Sequence, residues 1–121
     1  MRIAVAYHAD GQRVQHFGKA VRFAIYEARG DAWPLIETRV TTAACGAADH
    51  QGALQANARL LDDCAAVIVS AIGPAAQDVL MTQGIYDYAA PDITAAELPQ
   101  TFSHIRAQLA RFPHLNIKAH P

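Results

Sequence analysis

The sequence predicts an α/β fold with a mixed five-stranded sheet in the order β-β-β-α-β-α-β-α and helices on both faces. Two observations carry that expectation. The first 40 residues hold three short strand-like runs, and from residue 53 onward stretches with helical spacing alternate with short apolar runs. One of those runs, residues 65–72, is apolar on both alternating sets apart from Ser70, as a central parallel strand covered on both sides should be.

Each element has its own signature. Arg2-Ile-Ala-Val-Ala-Tyr7 is short and apolar and ends at the polar, glycine-containing stretch His8-Ala-Asp-Gly-Gln12, which reads as a buried first strand. Residues 21–28 alternate Val21, Phe23 and Ile25 against Arg22, Ala24 and Tyr26, and the turn Arg29-Gly30-Asp31 leads into residues 33–40, so the two runs form an antiparallel hairpin. Residues 41–52 are a small-residue loop without a period and are expected to be the most mobile segment. Ala53, Leu54, Asn57, Leu60, Leu61 and Cys64 then fall on one helical face, with Asn57 the polar exception. After the strand of residues 65–72, Gly73-Pro74 opens a helix to about Gln83, with Gly84 just past its end. A short strand covers residues 85–89. Leu98, Phe102, Ile105, Leu109 and Phe112 make a single apolar stripe on a last helix. Its start is read in two ways: Thr94 and Glu97 have capping-box spacing, but Pro99 then falls inside the helix, so the helix begins either at the box or near Pro99. The strand and helix order matches a ribonuclease H-like layout with right-handed crossovers. Residues 1–112 read as one domain, and residues 113–121 as a partly disordered C-terminal tail.

Bulk properties narrow the function. With 121 residues, 52% of them hydrophobic, the chain has material for one core. A net charge of -1 offers no basic field for phosphate backbones, so no nucleic acid partner is expected. The longest apolar run falls far short of the roughly 20 residues a membrane span needs, so no membrane partner is expected either. Cys45 and Cys64 are the two cysteines, and the N-terminus opens directly into a strand-like run; together these point to free thiols in a reducing cytoplasm.

Few residues suit chemistry. His16-Phe17-Gly18 sits in the polar loop before the hairpin, with Lys19 and Arg22 behind it. A neutral imidazole is a good ligand for iron, and neighbouring cations offset the negative charge of a sulfide-rich cluster. From the residues alone, an exposed loop histidine is the plainer account. Cys45, followed by His50 five positions later, could close on one metal or cluster edge, or could be an incidental free thiol. No C-x-x-C or H-x-x-x-H pair exists for a structural zinc site. Cys64 lies on the apolar stripe and reads as core. At Ile72-Gly73-Pro74 a strand end meets a helix N-terminus, which favours an anion but is also an ordinary turn. His8 follows the first strand and could reach the rim of His16; His104, His114 and His120 are uninformative. Magnesium-dependent hydrolysis would need clustered carboxylates, and only Asp10 and Glu27 could approach one another. Serine-nucleophile and dinucleotide motifs are absent, so the chain is not expected to be an enzyme.

The order of motifs resembles one family. Ile3-Ala-Val-Ala6, Val14-x-His16-Phe17-Gly18-x-Ala20, Phe23-x-Ile25-Tyr26-Glu27, Asp63-Cys64-x-Ala66-Val67, Ile72-Gly73 and Gly84-Ile85 follow one another as in the dinitrogenase iron-molybdenum cofactor biosynthesis family, which contains NifX, NafY and the C-terminal domain of NifB. The resemblance covers roughly residues 1–110 and implies a ribonuclease H-like fold. It implies a carrier of nitrogenase iron-molybdenum cofactor or a precursor iron-sulfur cluster, passing it among nitrogenase and its assembly proteins. It places the cluster-binding histidine at His16 and a loop cysteine at Cys45; His50 has proximity alone behind it. Lys19, Arg22 and Gly73 complete the expected cofactor-binding set. A metal-free regulatory or protein-protein adaptor is the rival reading.

Overall fold

The computed structural model describes residues 1–8, 10–11 and 13–112, so the tail at 113–121, with His114 and His120, lies outside the described residues. Strands β1 (Arg2–Tyr7), β2 (Arg22–Glu27), β3 (Leu35–Val40), β4 (Ala66–Val69) and β5 (Tyr86–Ala89) form one sheet in the order β3-β2-β1-β4-β5. The β1–β2 and β2–β3 pairs are antiparallel, whereas β4 runs parallel to both β1 and β5. Helices α1 (His50–Leu60), α2 (Pro74–Thr82) and α3 (Leu98–Arg111) cover the sheet, joined by 3₁₀ turns at Phe17–Lys19 and Ala95–Glu97.

The two-residue period of β1 decides which helix goes where. Ala4 and Ala6 face a core shared with Phe23, Ile25, Leu54, Leu61 and Leu80, which puts α1 and α2 on one side. Ile3 and Val5 face Phe102, Ile105 and Leu109, which puts α3 on the other. Phe102 is buried against the rings of Tyr26 and Trp33, at centroid distances of 4.8 and 5.1 Å. Truncating a ring so placed costs about 3–5 kcal/mol.

Two element boundaries differ most from the sequence expectation: the central strand covers Ala66–Val69 rather than residues 65–72, and α1 starts early. Helix α1 begins at His50, inside the stretch read as loop, because Asp49 caps it: Oδ1 accepts the Gly52 N–H at 3.0 Å. A Cβ on residue 52 would meet that carboxylate, so any larger residue there would have to displace the Asp49 side chain. At α3 both sequence signals hold. Thr94 and Glu97 form a capping box on the 3₁₀ turn, and Pro99 falls in the first turn of α3, where a missing N–H costs nothing. Phe112, read as the last residue of the stripe, is 43% exposed and belongs to neither core.

Charged side chains tie β1, β2, β3 and the end of α1 together. Asp63 accepts from Arg2 at 2.6 Å and from Arg39 at 2.6 and 2.7 Å; Arg2 also reaches Glu27 at 3.0 Å, and Arg39 also pairs with Glu37. The Arg39 guanidinium holds the Asp63 carboxyl well below the usual carboxylate range. Glu27 therefore has structural partners, and it lies opposite Arg2 at the start of β1, whereas Asp10 follows its end at Tyr7. The two acids therefore sit toward opposite ends of β1, which spans about 16 Å.

Candidate functional site

Four separate segments converge on one cleft at the carboxyl end of β4. His16 and Gly18 come from the 3₁₀ turn, Cys45 from the loop before α1, His50 from the start of α1, and Gly73 with Pro74, Ala75 and Ala76 from the start of α2. Leu54 completes the wall, and the cleft has a volume of about 260 Å³. Backbone hydrogen bonds explain its position. Gln15 donates its N–H to the Ala6 carbonyl at 2.8 Å, Ser70 donates to Gln15 at 3.0 Å, and Phe17 donates to Ala71 at 3.0 Å. The His-Phe-Gly segment is thus stitched across the carboxyl ends of β1 and β4, where open α/β sheets bind ligands. Phe17 is fully buried against Phe23 and anchors the turn.

A chain of hydrogen bonds then sets the side chains. The His16 ring accepts the Gly18 N–H at Nδ1 (3.0 Å), and the Gly18 carbonyl accepts the Cys45 N–H at 2.7 Å. His50 Nδ1 meets the Ala44 carbonyl at 3.0 Å. Residues 44 and 45 are therefore clamped between the turn and α1. Gly18 has a second requirement: a Cβ there would lie 2.6 Å from Cys45 Sγ, so only glycine lets the thiol sit over the turn. Asn57 extends the clamp from inside. It is 2% exposed, accepts the Thr41 hydroxyl at 2.6 Å and donates to the Thr42 carbonyl at 3.3 Å. The polar exception on the α1 stripe thus holds the base of the Cys45 loop, a role for which its place among apolar residues was the sequence signal.

The donors fit a soft or anionic guest better than a bare cation. Among the described residues one thiol and two imidazoles line the cleft and no carboxylate does. Helix α2 has no side-chain cap at Gly73, so its first-turn N–H groups at Ala75 and Ala76 border the cleft unsatisfied by a side chain and favour negative charge. Among the described residues no group of three His, Cys, Asp or Glu side chains is disposed to hold a metal ion. The set falls short of the four protein ligands that a structural zinc site takes.

The remaining expected residues fall elsewhere. Lys19 is exposed on the 3₁₀ turn and does not line the cleft. Arg22 shares strand parity with Ala24, which packs on the α3 side, and its Nη1 lies near the Gly11 turn. His8 bonds to the Gln15 side chain at 3.1 Å and belongs to a separate, larger cleft of about 520 Å³ with Arg13 and Ser70. That cleft has greater volume but one imidazole and no thiol, so its size does not outweigh the donor set at His16. Cys64 is fully buried, and burial pushes its thiol up to about 12, as its place on the stripe implies. His104 packs edge-on against Tyr88. No helix among the described residues is long and apolar enough to cross a membrane.

Comparison with known proteins establishes the family and the fold. FeMo cofactor biosynthesis protein NifB of Frankia alni is 40% identical over 88 residues, and that of Herbaspirillum seropedicae 33% identical over 84. These matches take in 69% of this chain but 17% and 16% of the two NifB proteins, so the chain spans about a sixth of their length. The crystal structure of PH0822 superposes with a TM-score of 0.64 at 18% identity, covering 84% of this chain and 89% of that one. The NMR structure of a Thermotoga protein described as a candidate NifB of the DUF35 family gives 0.60 at 21% identity, covering 85% and 87%. At those identities the two structures support the fold. The profile of the family described as "Dinitrogenase iron-molybdenum cofactor" matches residues 1–103, and the chain belongs to that family.

Proposed function

We propose that the protein binds and carries an anionic metal-sulfur cluster, nitrogenase iron-molybdenum cofactor or one of its precursors, and hands it to nitrogenase or another cofactor-assembly protein. The observation behind this reading is the convergence of His16, Cys45, His50 and the start of α2 on one cleft. Membership of the dinitrogenase iron-molybdenum cofactor family supports this choice of cargo. Side chains from three segments would touch the guest, and the uncapped N-terminus of α2 would favour its charge. Few protein ligands make binding reversible, which transfer to a tighter acceptor requires.

In this reading the protein is not an enzyme, and its partners are a cluster and cytoplasmic assembly proteins rather than nucleic acid or membrane. Strand order β3-β2-β1-β4-β5 supports the ribonuclease H-like layout. Lys19 and Arg22 contribute at most long-range charge, because neither lines the cleft.

The test is anaerobic gel filtration of the protein mixed with isolated iron-molybdenum cofactor, followed by visible absorption. Co-elution with the wild-type chain, weakened in Cys45→Ala and His50→Ala, is the expected result. A cofactor that elutes alone rejects the carrier, and full retention by His16→Ala rejects that residue's contact with the cargo. An adaptor that acts without metal gives the first of these outcomes.

A further inference from the structure

We infer that the two cleft histidines meet the cargo by opposite chemistry: His50 supplies an Nε2 lone pair to a metal, and His16 supplies an Nε2–H to a sulfide. The assignment deepens the carrier reading and rests on it. It follows from which backbone group each ring engages. A backbone N–H can only donate and a carbonyl can only accept. At His16 the partner is the Gly18 N–H, 3.0 Å from Nδ1, so Nδ1 holds the lone pair and the proton of the neutral ring is on Nε2. At His50 the partner is the Ala44 carbonyl, 3.0 Å from Nδ1, so the proton is on Nδ1 and Nε2 holds the lone pair.

The second arrangement is the one that metal-binding imidazoles adopt. A ring that donates one N–H to a carbonyl has its tautomer fixed and its other nitrogen made more basic. The first arrangement is the reverse. For His16 to coordinate through Nε2 as a neutral ring, its proton would have to move to Nδ1, where it would face the Gly18 N–H and break that bond. Gly18 is not free to turn away, because its carbonyl holds the Cys45 N–H at 2.7 Å and the Cα hydrogen in the Cβ position faces Cys45 Sγ. An N–H aimed at a sulfide is a charge-assisted hydrogen bond, which suits the exposed sulfur of an anionic cluster. Cys45, on the loop that these two residues clamp, stays a metal ligand in either case.

Two measurements test the assignment. Long-range ¹H–¹⁵N correlation on the full ¹⁵N-labelled chain without cargo, at about pH 8 where free imidazoles are neutral, reads each tautomer directly. His16→Gln and His50→Gln identify the signals. The expected pattern is Nε2–H for His16 and Nδ1–H for His50; Nδ1–H at His16 or Nε2–H at His50 overturns the assignment. Retention of isolated iron-molybdenum cofactor then separates the roles, because a glutamine amide can replace an Nε2–H donor but not an imidazole ligand. His16→Gln is expected to bind within about threefold of wild type while His16→Ala loses about tenfold or more, and His50→Gln is expected to lose as much as His50→Ala. The opposite pattern, with Gln rescuing position 50 and failing at 16, overturns it. Wild-type protein that retains no cofactor overturns the carrier reading and this assignment with it, whereas wrong tautomers in protein that does bind overturn the assignment alone.

Discussion

The two cysteines mark two regions that use polar groups in opposite ways. Around Cys64 the groups are matched to one another: Asp63 is shared by Arg2 and Arg39, both arginines have a second carboxylate, and the thiol is sealed in the core. Around Cys45 the backbone-facing atoms are matched, but the thiol is exposed and one nitrogen of each histidine is left over among the described residues. The first region spends its hydrogen-bonding capacity on the fold. The second uses backbone clamps to hold side chains whose remaining valences have no partner among the described residues, the pattern expected of a preorganised binding site rather than a structural junction.

Substitutions at the two regions should therefore separate stability from binding. Within these two regions the largest stability effect is expected for Cys64→Ser, which puts a more strongly hydrated hydroxyl among apolar neighbours where the thiol makes one long hydrogen bond, to Asp63 Oδ1 at 3.6 Å; about 2 kcal/mol should be lost in urea unfolding. Asp63→Ala comes next, at about 1–2 kcal/mol, because the half-buried Arg39 loses its main partner in a pair still partly screened by water. Its effect depends on pH with a defined sign. The folded-state carboxyl is lowered, so its contribution is complete above the unfolded value of about 4 and declines as pH falls below it. Wild type and Asp63→Ala should therefore converge in stability in acid, and a gap that widens below pH of about 4 would contradict the ion-pair account.

At the cleft the order reverses. Gly18→Ala should cost less than about 1 kcal/mol, since the displaced atom is an exposed thiol, yet cofactor retention should fall about tenfold because Cys45 can no longer sit over the turn. Cys45→Ser should change stability by about 0.5 kcal/mol or less. The same contrast predicts alkylation: iodoacetamide followed by mass spectrometry should label Cys45 in the native chain and Cys64 only on unfolding. Equal labelling of both would erase the distinction.

Much of this was legible in the sequence, for identifiable reasons. The strands and the α1/α2 and α3 stripes follow from local periods of two and about 3.6, which survive in any packing. His16 and Cys45 were visible as residue types in unusual loops, but their meeting was not, because it depends on Gln15, Gly18 and Ala71 bonding across the ends of strands far apart in sequence. His50 is weakly marked by spacing alone and takes its place through the Asp49 cap, which turns loop into helix. Arg22 shows the converse error. It follows His16 closely in the chain, yet the alternation that marks Phe23 and Ile25 as one side of β2 already assigns Arg22 to the other.

The most direct test of the carrier account is the iron and molybdenum content of the protein isolated without oxygen from cells that make the cofactor, beside a variant with His16, Cys45 and His50 all changed to Ala. The account predicts both metals on the wild-type chain and their loss from the variant, with the fold intact by circular dichroism. Metal-free wild type, or a variant that keeps its metals, would contradict it.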